Sequence, residues 1–121
     1  MLGWLQGTSN PVVLTGDAHM HHDAELKLDF DDPSSPVVAR ELVASSIASD
    51  GDGYRDKAWI AEALAENPHI SYIDQRRGYL AARLTSTELS VDFRTLDYIS
   101  RKGAPAKTTK TVTIHAAASA G

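Results

Sequence analysis

The stretch Asn10-Pro11-Val12-Val13-Leu14-Thr15-Gly16-Asp17-Ala18-His19 decides how the rest of this chain is read. Asn10-Pro11 marks a turn, and Val12 to Thr15 reads as a short strand, apolar on both faces, that ends at Gly16. Such a strand belongs inside a sheet covered on both sides. Ligands of α/β sheets bind at strand ends, and at this one Asp17 and His19 enter a loop together. A carboxylate and an imidazole two residues apart turn toward one point once the chain leaves the pleat. Together they suit iron, zinc or manganese, and the carboxylate suits calcium. Gly16 is expected to supply the sharp bend. By itself, Gly-Asp-x-His is explained equally well by a turn aspartate that caps an amide beside a surface histidine.

Working outward, Leu26, Leu28 and Phe30 alternate with Lys27 and Asp29 in the period of a second strand, which Asp31-Asp32-Pro33-Ser34-Ser35-Pro36 interrupts. Val37 to Ile47 is compatible with a strand or a short helix, and the strand is preferred. Trp59, Ile60, Ala63 and Leu64 form one helical face over about Asp56 to Glu66, and Asn67-Pro68 stops it. Ile70–Ile73, Gly78–Thr85, Glu88–Leu96 and Lys110–Ala116 follow. Leu89, Val91 and Phe93 alternate with Ser90, Asp92 and Arg94, the pattern of a half-buried antiparallel strand joined to its predecessor through Ser86-Thr87. The tail from Ala116 to Gly121 reads as disordered.

The remaining polar clusters read as surface. From His19 through His21 and Asp23 the chain follows the His-x-His-x-Asp-His motif of metallo-β-lactamases, but Ala24 stands where the last histidine is needed. His21 and His22 are therefore expected in a solvated loop. Asp50-Gly51-Asp52-Gly53 starts like an EF-hand, yet Arg55 and Ala61 occupy the positions that require glycine and glutamate. What remains is a flexible loop that borders a site or joins a strand to the helix. Arg76-Arg77 could hold a phosphate in bidentate fashion, but the expected reading is a solvent-facing pair. His69 reads as a turn residue bonded to backbone, and Asp92, Arg94 and Asp97 need no function.

The 121 residues are about one domain long, and 12 Lys+Arg against 16 Asp+Glu leave a net charge of −4. That balance carries no nucleic-acid-binding signature. Seventeen residues are alanine, so the large apolar side chains suffice for one modest core. Without cysteine there is no disulfide framework, thiolate zinc site or Cys nucleophile. The apolar runs are too short for a transmembrane segment. Met1-Leu2-Gly3-Trp4 has no basic region before it reaches polar residues, so no signal peptide is read there.

Taken in order, these segments resemble a known family. The stretch from Asn10 to His19, then Leu26-Lys27-x-Asp29-Phe30-Asp31-Asp32-Pro33-x-Ser35-Pro36-Val37-Val38, is similar to the C-terminal part of the alkaline phosphatase D (PhoD-like) metallophosphoesterases. The likeness continues through Glu41-Leu42-Val43-Ala44-Ser45-Ser46-Ile47, Glu66-Asn67-Pro68-His69-Ile70, Arg76-Arg77-Gly78-Tyr79 and Ser100-Arg101-Lys102-Gly103-Ala104-Pro105. It covers about residues 10 to 115.

The resemblance implies an α/β (α+β) fold, the C-terminal portion of an α/β/β/α sandwich, with mixed and antiparallel strands and one clear helix. It implies hydrolysis of phosphate esters at a centre of calcium and iron, which stabilises phosphoryl oxygens and acidifies the attacking water. Asp17 and His19 match the family's late ligand block and inherit the role of metal ligands. His21 and His22 receive no role from it.

The family's earlier ligand blocks, Gly-Asp-x-x-Asp and Gly-Asn-His/Asp, have no counterpart in this sequence. The expectation is therefore a single partial domain over residues 1–121, a fragment inactive alone. Its strand Val12–Thr15 would lack neighbours, so self-association or an N-terminal partner chain is expected. Family members are commonly exported. The alternatives are a non-catalytic binding or structural module, or a subunit whose site a partner chain completes.

Overall fold

In the computed structural model residues 10–116 are described. The readings made for Met1–Gln6 and for the tail after Ala116 lie outside them. The chain runs β1 (Val12–Thr15), β2 (His21–Lys27), β3 (Val37–Val43), α1 (Lys57–Glu66), β4 (Ile70–Asp74), β5 (Arg77–Leu84), β6 (Glu88–Leu96) and β7 (Lys107–His115). The first four strands form a mixed sheet in the order β1-β3-β2-β4, and the last three an antiparallel sheet in the order β5-β6-β7. Among the described residues this is an α/β fold of mostly strands with one helix, as the resemblance implies.

The two sheets meet through one apolar cluster: Leu42 of β3, Val91 and Phe93 of β6, and Val112 of β7. Each is essentially withdrawn from solvent, which stabilises the fold by about 1.5–3 kcal/mol for a side chain of this size. The alternation read over Leu89 to Arg94 produces this face: β6 pairs in register with β5 from Leu84↔Leu89 to Arg77↔Leu96. Thr85 N–H donates to the Glu88 carbonyl at 2.9 Å and closes the hairpin where Ser86-Thr87 was expected to turn.

The helix starts and stops where its chemistry requires. Asp56 accepts from the Trp59 N–H at 2.9 Å as N-cap, and Asn67 N–H donates to the Ala63 carbonyl at 3.0 Å before Pro68. No residue of α1 is fully buried, so its apolar face rests only partly on β4.

Two strand expectations need correction. The second strand covers His21–Lys27, while Leu28 and Phe30 lie in a bend and a turn, 40% and 47% exposed. The polar run His21-His22-Asp23 is extended because its buried members are satisfied: His21 by the Arg94 carbonyl of the second sheet and Ser45 N–H, and Asp23 by Arg40 of the neighbouring strand β3. The β1 strand is not enclosed on both faces either: among the described residues it pairs with β3 alone, and Leu14 is 57% exposed.

Candidate functional site

Sheet order decides which loops meet. β1 and β3 are parallel neighbours, with Val12↔Arg40 through Thr15↔Val43 in register, so both release their loops at the same edge. β2 is antiparallel to both of its neighbours, which puts the start of β2 and the end of β4 at that edge too, where His21 pairs with Asp74. Asp17 and His19, the loop after β3, and the segment Gln75-Arg76-Arg77 are thus gathered by topology.

His19 Nδ1 hydrogen-bonds Asp50 Oδ2 at 2.6 Å. An ionised carboxylate only accepts, so Nδ1 carries a proton, and of the two neutral tautomers this bond selects the one with its lone pair on Nε2. In turn, the His19 hydrogen bond holds the Asp50 carboxyl below the usual carboxylate range. Asp17 is exposed, and its carboxylate joins no ion pair among the described residues. An imidazole ordered by a carboxylate through its other nitrogen is the arrangement of metal-binding histidines. The donor set of Asp17 and His19 fits a metal ion in that sense. Among the described residues no three His, Asp or Glu side chains converge as a metal site.

Gly16 does not supply the bend. The left-handed non-glycine residues beside it are Asp17 (φ 75°), His19 (φ 56°) and, in the facing loop, Asp50 (φ 64°). Non-glycine residues held in this region cost energy and persist only where their surroundings over-determine them. The Asp50-Gly51-Asp52-Gly53 segment does border the candidate ligands. Asp52 anchors it from the other side, accepting from the backbone N–H groups of Ile99 at 2.7 Å and Ser100 at 2.8 Å.

The structure overturns the surface reading of His21. The ring is fully buried, its Nε2 lies 2.9 Å from the Arg94 carbonyl oxygen, and its Nδ1 accepts from Ser45 N–H at 3.0 Å. Its edge meets Phe93 at 5.3 Å. Burial lowers its pKa below the ordinary histidine value and keeps it neutral. His22, half-buried, is lowered by the same cause. Asp23, 1% exposed, takes both Nε and Nη2 of Arg40, at 2.8 and 2.7 Å.

The arginine pair is corrected in the same way. Arg76 binds Asp74, with Nη2 2.6 Å from Oδ2, and reaches Asp97 at 3.4 Å, so its charge is already engaged. Burial works against the Asp74 carboxylate, but the Arg76 hydrogen bonds outweigh it and hold the pKa low. Arg77 is fully buried. Its Nη1 donates to Ser46 Oγ and, at 2.8 Å, to the Ser49 carbonyl; its Nη2 donates to the carbonyls of His19 and Gln75, each at 2.8 Å. His69 sits in a turn, as expected: its carbonyl accepts from Glu25 N–H at 2.8 Å, and its ring packs on Phe30 at 4.8 Å.

Glycines beside these groups were the missed signal. A Cβ on Gly78 would lie 1.9 Å from the Arg94 carbonyl oxygen and 3.0 Å from His21 Nε2. On Gly53 it would lie 2.8 Å from Arg77 Nε. Both positions mark where buried polar groups and backbone approach closely.

Comparison with known proteins bears on the family and the fold. A family profile described as PhoD-like phosphatase matches residues 4–93. Alkaline phosphatase D of Bacillus subtilis (strain 168) is 36% identical over 100 residues, covering 83% of this chain and 17% of that protein. A solved structure of PhoD superposes with a TM-score of 0.84 and 30% identity, covering 94% of this chain and 22% of that one. The chain thus spans about a fifth of the length of the relatives it matches. With the profile, the identity and the fold in agreement, the chain belongs to the PhoD-like phosphatase family.

Proposed function

We propose that this chain is part of a metal-dependent phosphoesterase, that Asp17 and His19 are its contribution to a calcium and iron centre, and that alone it does not hydrolyse phosphate esters. The observation that carries this reading is the 2.6 Å bond between His19 Nδ1 and Asp50, which occupies one ring nitrogen and leaves Nε2 as the one that could ligate. When bound, the metal ions supply charge for the phosphoryl oxygens and acidify the attacking water. The chain's own part is to hold the Asp17 carboxylate and His19 Nε2 at one strand end. Calcium alone takes about six to eight oxygen donors, more than these two residues offer. Among the described residues β1 pairs with β3 alone, and its other edge fits a further strand from an N-terminal partner segment.

Two measurements test the proposal. With calcium and iron supplied, the pure chain is expected to leave p-nitrophenyl phosphate and its bis ester intact; turnover at the rate of a full-length relative overturns the inactivity. Calorimetric titration with calcium, then iron, is expected to show binding that the Asp17→Ala/His19→Ala double variant loses. Equal binding by both proteins favours a non-catalytic module. A strict monomer with sharp cooperative melting in size-exclusion and melting experiments refutes the open edge.

A further inference from the structure

Arg77 is a fully buried guanidinium, and among the described residues no carboxylate forms an ion pair with it. Burying a cation without a counter-charge is expensive. Arg77 offsets the cost with acceptors from separate segments: the His19 carbonyl in the loop after β1, Ser46 Oγ and the Ser49 carbonyl in the loop after β3, and the Gln75 carbonyl. The first two segments carry His19 and Asp50, whose side chains meet at 2.6 Å although both backbones are left-handed, at φ 56° and 64°. Strain of this kind needs an external restraint. Arg77 is bonded to the carbonyl of one strained residue and to the carbonyl of the residue preceding the other. Gly53 leaves room for the guanidinium, since a Cβ there would meet Arg77 Nε and Nη2 at 2.8 and 2.9 Å.

We propose that Arg77 is a positioning residue for His19: it clamps the loops after β1 and β3 so that Asp50 holds the proton on Nδ1 and Nε2 is left to bind. The proposal rests on the reading of His19 as a ligand only for its consequence; the clamp itself is a property of the metal-free chain.

Nitrogen-edited imidazole NMR of the metal-free chain reads the tautomer directly. His19 is expected in the Nδ1–H form, and His21, bonded on both nitrogens, in the Nε2–H form. In Arg77→Met and Arg77→Lys, His19 is expected to become a mixture of tautomers while His21 is unchanged, which certifies the fold. The cobalt(II) affinity should fall by about tenfold or more, the usual effect of losing an orienting partner. A folded Arg77 variant with His19 still in the Nδ1–H form overturns the proposal. Should neither variant fold, Ser46→Ala removes one clamp contact without exposing the charge, and an unaltered His19 spectrum then overturns it. Failure of cobalt to distinguish the chain from Asp17→Ala/His19→Ala refutes the ligand reading and leaves the tautomer result standing.

Discussion

Gly78→Ala tests how tightly the sheets enclose His21. A Cβ at this position would lie 1.9 Å from the Arg94 carbonyl oxygen, more than 1 Å inside the 3.0 Å that real Cβ atoms respect. The obstruction is backbone, so β5 and β6 must part where Gly78 pairs with Thr95. The Arg94 carbonyl is also the acceptor for His21 Nε2 at 2.9 Å, and the histidine is fully buried. Moving the carbonyl leaves two buried polar groups short of a partner, each costing about 1–3 kcal/mol. With the damaged ladder the expected loss is about 3–5 kcal/mol, a large share of the stability of one small domain. Urea unfolding followed by far-UV circular dichroism measures it. Gly16→Ala is the matched control: its Cβ would stand 3.8 Å from the Ala44 carbonyl oxygen, an ordinary contact, so a change below about 1 kcal/mol is expected. Equal losses in the two variants, or a Gly78→Ala protein as stable as the parent, would refute the close-approach argument.

Stability should also depend on pH through His21 and His22, whose pKa values burial lowers. Below the unfolded value, about 6.5, the unfolded chain takes up protons that the fold refuses. Stability is thus full above that pH and falls as the pH drops toward the folded values, by up to about 1.4 kcal/mol per pH unit for each histidine. A urea midpoint equal at about pH 7.5 and about pH 5.5 contradicts this. Arg40→Ala strands Asp23, 1% exposed, with only Lys110 Nζ at 3.7 Å; a loss of about 3 kcal/mol is expected in the same assay, and an effect under about 1 kcal/mol means that solvent reaches Asp23. Asp56→Ala removes the cap on Trp59 N–H and should cost about 1 kcal/mol, with unchanged helicity and midpoint as the opposing result.

Apolar periodicity and turn chemistry made much of the fold legible. Val91 and Phe93 alternate with polar neighbours and are the buried side of β6, while Asp56 and Asn67-Pro68 bound the helix. Both signals are local, because a strand face or a helix end depends on residues close in sequence. The second strand was misplaced because its inner residues His21 and Asp23 are polar. A pattern of burial inferred from hydrophobicity has no means of seeing that Ser45, Arg94 and Arg40 satisfy them. At the candidate site, Asp17 and His19 were legible as a pair of donors at a strand end. Asp50 and Arg77, which lie 31 and 58 residues from His19, were read as loop and surface.

By itself the sequence determined the alternating strand β6, the helix with its caps, the family blocks in their order, and the presence of a carboxylate and an imidazole after β1. Only the tertiary structure decided that β1 and β3 run side by side in the same direction, which sets Asp50 against His19 and encloses Arg77 beneath both loops. The physical reason is that a polar side chain is buried only where distant backbone groups satisfy it, and sheet order, not local composition, selects those groups.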